Sequence, residues 1–161
     1  MLAEIYWITE NLAIMPHPRG NDWLEDEIEC YRNFGVGVVV SLLERAEAYE
    51  LGILREDFWC GQKNVEFINF PIVDRQVPAY FEETVNFVKA LQSKIEEGQK
   101  IAIHCRQGAG RPAMIAAAIL VLQGLSTAEA FDKIAAARGC DVPDTEEQRE
   151  WVESFARNRN F

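Results

Sequence analysis

Two residues in this 161-residue chain stand at a spacing that could do chemistry: Cys105 and Arg111, in the run His104-Cys105-Arg106-Gln107-Gly108-Ala109-Gly110-Arg111-Pro112. An apolar stretch, Ile101-Ala102-Ile103, precedes the run, and a helix-like stretch from Ala113 to Leu120 follows it. The pattern therefore predicts a strand, a tight glycine loop and a helix. Such a loop turns successive backbone N–H groups into a concave anion site at the positive end of a helix. A thiol at one edge and a guanidinium at the other are what phosphoryl transfer to sulfur requires. Cys105 would attack phosphorus as the thiolate, the form that a helix N-terminus and adjacent cations favour. A covalent intermediate on sulfur would divide one difficult displacement into two easier ones. Arg111 can grip two phosphate oxygens with its planar fork, which lysine cannot do. The backbone of Arg106, Gln107, Gly108, Ala109 and Gly110 would bind the phosphate, and the glycines allow its close approach.

This His-Cys-x5-Arg run, set between a strand and a helix, resembles the signature loop of the cysteine-dependent protein-tyrosine phosphatase superfamily. The short chain resembles its dual-specificity branch. The resemblance extends from Val36 to about Gln148 and implies a metal-independent and cofactor-independent phosphatase with a phosphocysteine intermediate. It also implies roles for residues outside the loop. Asp74, in Phe70-Pro71-Ile72-Val73-Asp74-Arg75-Gln76-Val77-Pro78, resembles the general acid of the family's movable Pro-x-x-Asp loop. It would protonate the departing oxygen. The plainer reading is a turn aspartate paired with Arg75. Val142-Pro143-Asp144-Thr145-Glu146-Glu147-Gln148 resembles the family's glutamine loop, in which Gln148 would position the attacking water. Thr145-x-x-Gln148 is equally a helix capping box. His104 precedes the cysteine as in the family and would tune the thiolate rather than take protons; as a plain strand-end residue it would be satisfied by backbone. One position departs from the pattern. The family usually places a serine or threonine after the signature arginine, and its hydroxyl assists the thiolate as it leaves. Here Pro112 and Ala113 follow. The regenerating-liver phosphatases also lack that hydroxyl and turn over slowly.

The remaining chemistry-bearing residues carry weaker signals. Arg106 could favour a second negative group on a substrate, but pointing to solvent is the reading the sequence favours. His17, in a proline turn, is expected to be exposed. Cys30, Cys60 and Cys140 are expected to pack rather than react, although one could form a disulfide with an oxidised Cys105.

The elements that must position these groups follow from periodicity. Ile5–Ile8 and Leu12–Met15 flank a turn and predict a short antiparallel hairpin. Asn21 or Asp22 could cap a helix carrying Leu24, Ile28, Tyr31 and Phe34, stopped by Gly35. Val36–Leu43 is a nearly continuous apolar run, expected for a strand buried on both faces. Glu44–Gln62 predicts one or two short helices, and Val65–Phe70 the next strand. Pro71–Pro78 is a loop, followed by a helix over Ala79–Glu97. Lys100–His104 is a strand. Helices are expected from about Ala113 to Gln123, from Thr127 to Arg138, and from about Thr145 to Arg159. Strands separated by helices imply an α/β fold. The expectation is a mostly parallel central sheet of about five strands with an N-terminal antiparallel hairpin and helices on both faces. No linker or repeat divides residues 1–161, so one domain is expected.

Composition narrows the partners. The formal net charge is −10, which disfavours nucleic acid and anionic membranes as partners. It also favours a compact phosphate ester, such as a phosphorylated protein side chain, over a large polyanion. No apolar run reaches the ~20 residues that span a bilayer, so no membrane insertion is expected. The four scattered cysteines and the absence of a signal-like N-terminus suit a reducing cytoplasm. Oligomeric state is not readable. Three rivals remain open at this point: a phosphate-binding module with very low turnover, a phosphatase acting on a phosphoinositide or inositol phosphate, and a sulfurtransferase.

Overall fold

The structure, a computed structural model, describes residues 3–158. In chain order the elements are β1 (Tyr6–Trp7), β2 (Leu12–Met15), a 3₁₀ turn (Asn21–Trp23), α1 (Leu24–Asn33), β3 (Val38–Ser41), α2 (Arg45–Glu50), α3 (Glu56–Gln62), β4 (Glu66–Asn69), α4 (Phe81–Glu96), β5 (Ile101–His104), α5 (Arg111–Leu122), α6 (Thr127–Arg138) and α7 (Glu146–Arg157). They build one five-stranded sheet in the order β1-β2-β5-β3-β4. Only the β1–β2 pair is antiparallel; β2, β5, β3 and β4 run parallel. The expected architecture is thus present, with the hairpin at one edge.

Alternation along the strands divides the core in two. Leu12, Ile14, Val38, Val40, Ile101 and Ile103 face the helices α4 to α7. Ala13, Met15, Val39 and Ala102 face Leu24, Ile28 and Tyr31 of α1 and Cys60 of α3. Helix α5 is apolar all round because it is enclosed on all sides: every residue from Arg111 to Val121 is buried.

Several local expectations change. Helix α5 begins at Arg111, two residues earlier than expected, because Pro112 sits in the first turn, where a missing N–H costs nothing. Neither Asn21 nor Asp22 caps α1. Asn21 instead adopts φ 54° and donates its N–H to the Gly52 carbonyl, and a 3₁₀ turn leads into the helix. The apolar run 36–43 contributes only Val38–Ser41 to the sheet. The expected end of the last helix, Arg159, lies outside the described residues, and α7 ends at Arg157. Among the described residues, no helix is long and apolar enough to cross a membrane.

The register matters for function. Met15, Ser41, Asn69 and His104 are aligned across the four parallel strands, so their chains leave the sheet together. Open parallel sheets place their sites at this carboxyl edge. The segments after β3, β4 and β5 converge there, carrying Glu47, Asp74 and Cys105 respectively.

Candidate active site

The loop from Cys105 to Gly110 leaves β5 and enters α5 directly. Its outer side is tied down at three carbonyls. The His17 N–H donates to Arg106 O at 3.2 Å. Arg138, at the end of α6, donates from Nη2 to Gln107 O at 3.0 Å and from Nε to Gly108 O at 3.2 Å. Arg138 is itself stacked over the Tyr6 ring, 4.3 Å from its centroid. Across a planar trans peptide, C=O and the next N–H point in opposite directions. Holding these carbonyls outward therefore turns the N–H groups of Gln107, Gly108 and Ala109 to the other side. Among the described residues, no N–H from Arg106 to Gly110 donates to a protein acceptor. Gly108 has φ +76°, and a Cβ there would collide with the backbone of Met15 and Pro16, so glycine is required.

Cys105 is 5% exposed and lines a cavity of about 260 Å³ together with Asp74, Arg75, Arg106, Gln107, Gly110 and Asp144. Arg111 is 1% exposed, and its guanidinium is held on three sides. Nη1 donates to Glu47 Oε1 and to Ile72 O, each at 2.8 Å; Nη2 donates to Glu47 Oε2 at 3.0 Å. Asp74 Oδ1 lies 3.2 Å from Nη2. The remaining donor, Nε, is buried without a partner.

Glu47 is the anchor of this arrangement. It also accepts from Arg106 Nε at 3.0 Å, while Arg106 Nη2 pairs with Glu50 at 2.7 Å. Burial works against its ionisation, but hydrogen bonds from Arg111, the Glu44 backbone and Arg106 outweigh it and bring the carboxyl down to about 2.

The remaining residues fall as follows. His104 is fully buried, with Nε2 2.6 Å from Glu56 Oε2 and Nδ1 3.3 Å from Cys105 O. Its ring therefore braces the strand end beneath the cysteine through a carboxylate as well as backbone. Arg106 does not point freely to solvent; two carboxylates engage it. Asp74 pairs with Arg111 rather than with Arg75, which lines the same cavity. Gln148 is fully buried at the start of α7. Its Oε1 accepts from Asp144 and Thr145 N–H, and its Nε2 donates to Gln76 O in the Asp74 loop at 3.1 Å. The capping box is formed, and the same side chain joins two loops. His17 is half-buried, its Nδ1 2.6 Å from Pro18 O, rather than exposed. Cys60 is buried, but Cys140 is exposed and does not pack; all four cysteines are free thiols.

A model of the family described as Tc-R-P, polymorphic toxin system, DSP-PTPase phosphatase, matches residues 13–125. The chain belongs to the DSP-PTPase phosphatases. Protein tyrosine phosphatase domain-containing protein 1 of Bos taurus is 30% identical over 135 residues, covering 76% of this chain and 16% of that protein. The chain spans less than a quarter of the length of the curated relatives it matches. Among solved structures, the active form of Tk-PTP is 29% identical with a TM-score of 0.80, covering 98% of this chain and 99% of the other. Kinase-associated phosphatase, solved with its catalytic-site cysteine changed to serine, shares the fold at a TM-score of 0.88 and 18% identity, covering 96% and 94% of the two chains.

Within this DSP-PTPase member, four functional-looking groups went unnoticed in the sequence: Glu47, Glu56, Arg138 and Asp144. Glu47 sits in a short acidic helix whose capping box with Glu44 explains it locally. Arg138 is a basic residue in a last helical turn, where the helix dipole alone would account for it. Asp144 had one available signal, its place beside Thr145 and Gln148 in the glutamine-loop-like stretch. Among the described residues, no group of three or more His, Cys, Asp or Glu could hold a metal ion.

Proposed function

We propose that this chain hydrolyses phosphate monoesters, phosphotyrosine or more broadly phosphoprotein, through a phosphocysteine intermediate. The observation that carries this reading is the unpartnered Nε–H of Arg111, buried beside the cavity that Cys105 lines. Leaving a buried donor unpaired costs about 1–3 kcal/mol, and an oxyanion seated over Cys105 would satisfy it. Glu47 and Ile72 already occupy one edge of the guanidinium, so Nε and Nη2 form the edge that would meet phosphate.

The steps follow from this geometry. An entering phosphate competes with Asp74 for Nη2 and releases that side chain, which is more than half exposed, takes up a proton from solvent and can swing toward the leaving group. The Cys105 sulfur attacks phosphorus, the P–O bond to the substrate breaks, and the departing oxygen takes a proton from Asp74. The N–H groups of the Cys105–Gly110 loop and Arg111 stabilise the charge on the equatorial oxygens. Water then attacks phosphorus, the S–P bond breaks, and Cys105 departs as thiolate.

The surroundings favour a single phosphate group. Arg106, within the loop, is neutralised by Glu47 and Glu50 and offers little to a second phosphate. That disfavours inositol phosphates and phosphoinositides relative to a phosphorylated side chain. Cys105→Ser should abolish hydrolysis of aryl phosphates while retaining tungstate binding, and the parent should be unaffected by EDTA. Turnover by Cys105→Ser near the parent rate would overturn the reading. So would a parent that binds tungstate yet never forms acid-stable phosphocysteine, which would mark a binding module.

A further inference from the structure

The cavity over Cys105 holds two carboxylates, and only Asp74 has a part in the steps above. The second is Asp144, from the segment that enters α7. Its carboxylate lies directly against Gly110, so closely that a Cβ at position 110 would overlap Asp144 Oδ2 and lie 2.6 Å from its Cγ. Gly110 is the last residue before α5 and Arg111. Asp144 therefore reaches the phosphate cradle itself, from the segment that leads into α7.

Its position is built rather than incidental. The Asp144 N–H donates to Gln148 Oε1 at 3.1 Å, and Gln148 Nε2 donates to Gln76 O at 3.1 Å. One buried side chain thus fixes the loops of both carboxylates relative to each other. The Asp144 carboxylate has no hydrogen-bond or ion-pair partner among the described residues, whereas Asp74 is engaged by Arg111. Gln148 is fully buried, with both acceptor positions of its oxygen and one N–H already used. In this arrangement the group free to hold a water in the cavity is the carboxylate four residues earlier.

We propose that Asp144 is a second general acid–base residue, which orients the attacking water and takes its proton when phosphocysteine is hydrolysed. The inference rests on the phosphatase reading above. In the step, the water oxygen bonds to phosphorus as one O–H proton passes to Asp144. The S–P bond breaks, and the electron pair stays on Cys105. Inorganic phosphate and protonated Asp144 result; the proton then returns to solvent. No oxidant, metal or further reactant is needed. A base at this place also suits a chain with Pro112 and Ala113 after Arg111, where no hydroxyl is available to assist the departing thiolate.

The two carboxylates then act on different steps, and their loss should have opposite signatures. Rapid quench with ³²P-labelled aryl phosphate measures formation and decay of phosphocysteine separately. Asp144→Asn should slow decay at least about tenfold, change formation less than about threefold, and raise the fraction of enzyme trapped as phosphocysteine in the steady state. Asp74→Asn should lower that fraction. Asp144→Glu should keep decay within about threefold of the parent. Asp144→Ser lacks both the carboxylate and the amide and should repeat the Asn result, which separates loss of the base from disturbance by the amide; tungstate binding checks that the cradle is intact. Decay within about twofold of the parent in Asp144→Asn and Asp144→Ser overturns the inference. Equal slowing in the Asn and Glu variants also overturns it, because the cause would then be loop geometry. A parent that never labels on Cys105 overturns the phosphatase reading instead, and the inference falls with it.

Discussion

Replacing Glu47 by Gln tests whether the site is held by one ionised carboxylate. The amide has the shape of the protonated acid, so the variant imitates the parent with Glu47 neutralised. Glu47 accepts two hydrogen bonds from Arg111 at 2.8 and 3.0 Å and one from Arg106 at 3.0 Å, and its side chain is 11% exposed. Its carboxyl sits at about 2 instead of 4.5, since burial is outweighed by those bonds and by the Glu44 N–H. At about 1.36 kcal/mol per pH unit, that difference corresponds to about 3 kcal/mol. Arg106 is 36% exposed, and solvent screens its share, which leaves about 2 kcal/mol. A depressed carboxyl contributes stability that is full above its unfolded value and is lost as pH falls through the folded one. The stability gap between parent and Glu47→Gln should therefore be about 2 kcal/mol near pH 6 and less than half of that by about pH 3. Other acids titrate in both proteins and cancel in the difference. Urea unfolding at a series of pH values reads the gap directly. Arg111 would also lose its restraint, and at about 1.4 kcal/mol per factor of ten kcat/KM should fall about tenfold or more. A gap at pH 3 as large as that near pH 6, or no gap at either, would refute the assignment of Glu47 as the ionised anchor.

Two further changes probe the loop. Gly108→Ala forces a side chain into a φ of +76° and against the Met15 and Pro16 backbone; it should lower stability by about 1–3 kcal/mol in urea unfolding and weaken tungstate binding at least about tenfold. Pro112→Ser restores a hydroxyl after Arg111 in the first turn of α5, and rapid mixing with an aryl phosphate should show a faster steady phase with little change in the burst. An unchanged steady phase would place the slow step before the intermediate.

What could be read in the sequence was what is contiguous. The strand, loop and helix around Cys105 are one unbroken run, and hydrophobic alternation marks the strands that carry it. The loop that carries Asp74 was legible as a loop because its prolines and its place after a strand are local features too. Glu47 was not, because it meets Arg111 across 64 positions and Arg106 across 59. In the sequence it is one acid among many in a short helix. The same holds for Arg138, which reaches the loop carbonyls only because α6 packs beside β1. Asp144 illustrates a different limit. The capping pattern Thr145-x-x-Gln148 is real, and it drew attention to the glutamine. The glutamine's amide serves the cap and the neighbouring loop, while the residue just before the cap is left facing the cavity.

The net charge of −10 poses a problem that the site resolves locally. Four carboxylates, from Glu47, Glu50, Asp74 and Asp144, surround a place proposed to receive an anion. Three of them are engaged by arginines: Glu47 and Glu50 neutralise Arg106, Glu47 also fixes Arg111, and Asp74 pairs with Arg111. The donors left for the proposed substrate are then the free edge of Arg111, the N–H groups of the loop at the start of α5, and Arg75 at the cavity wall. Such donors act at short range and in fixed directions, unlike a diffuse basic surface, which works through long-range steering. A single phosphate small enough to reach them gains all of their stabilisation. A polyanion gains no more from the cradle and meets the acidic surface with its remaining charge. The placement of the carboxylates thus supports the proposed preference for an isolated phosphate ester. It predicts weak salt dependence of kcat/KM for a singly phosphorylated peptide, and steeper inhibition of binding as neighbouring acidic residues are added to that peptide.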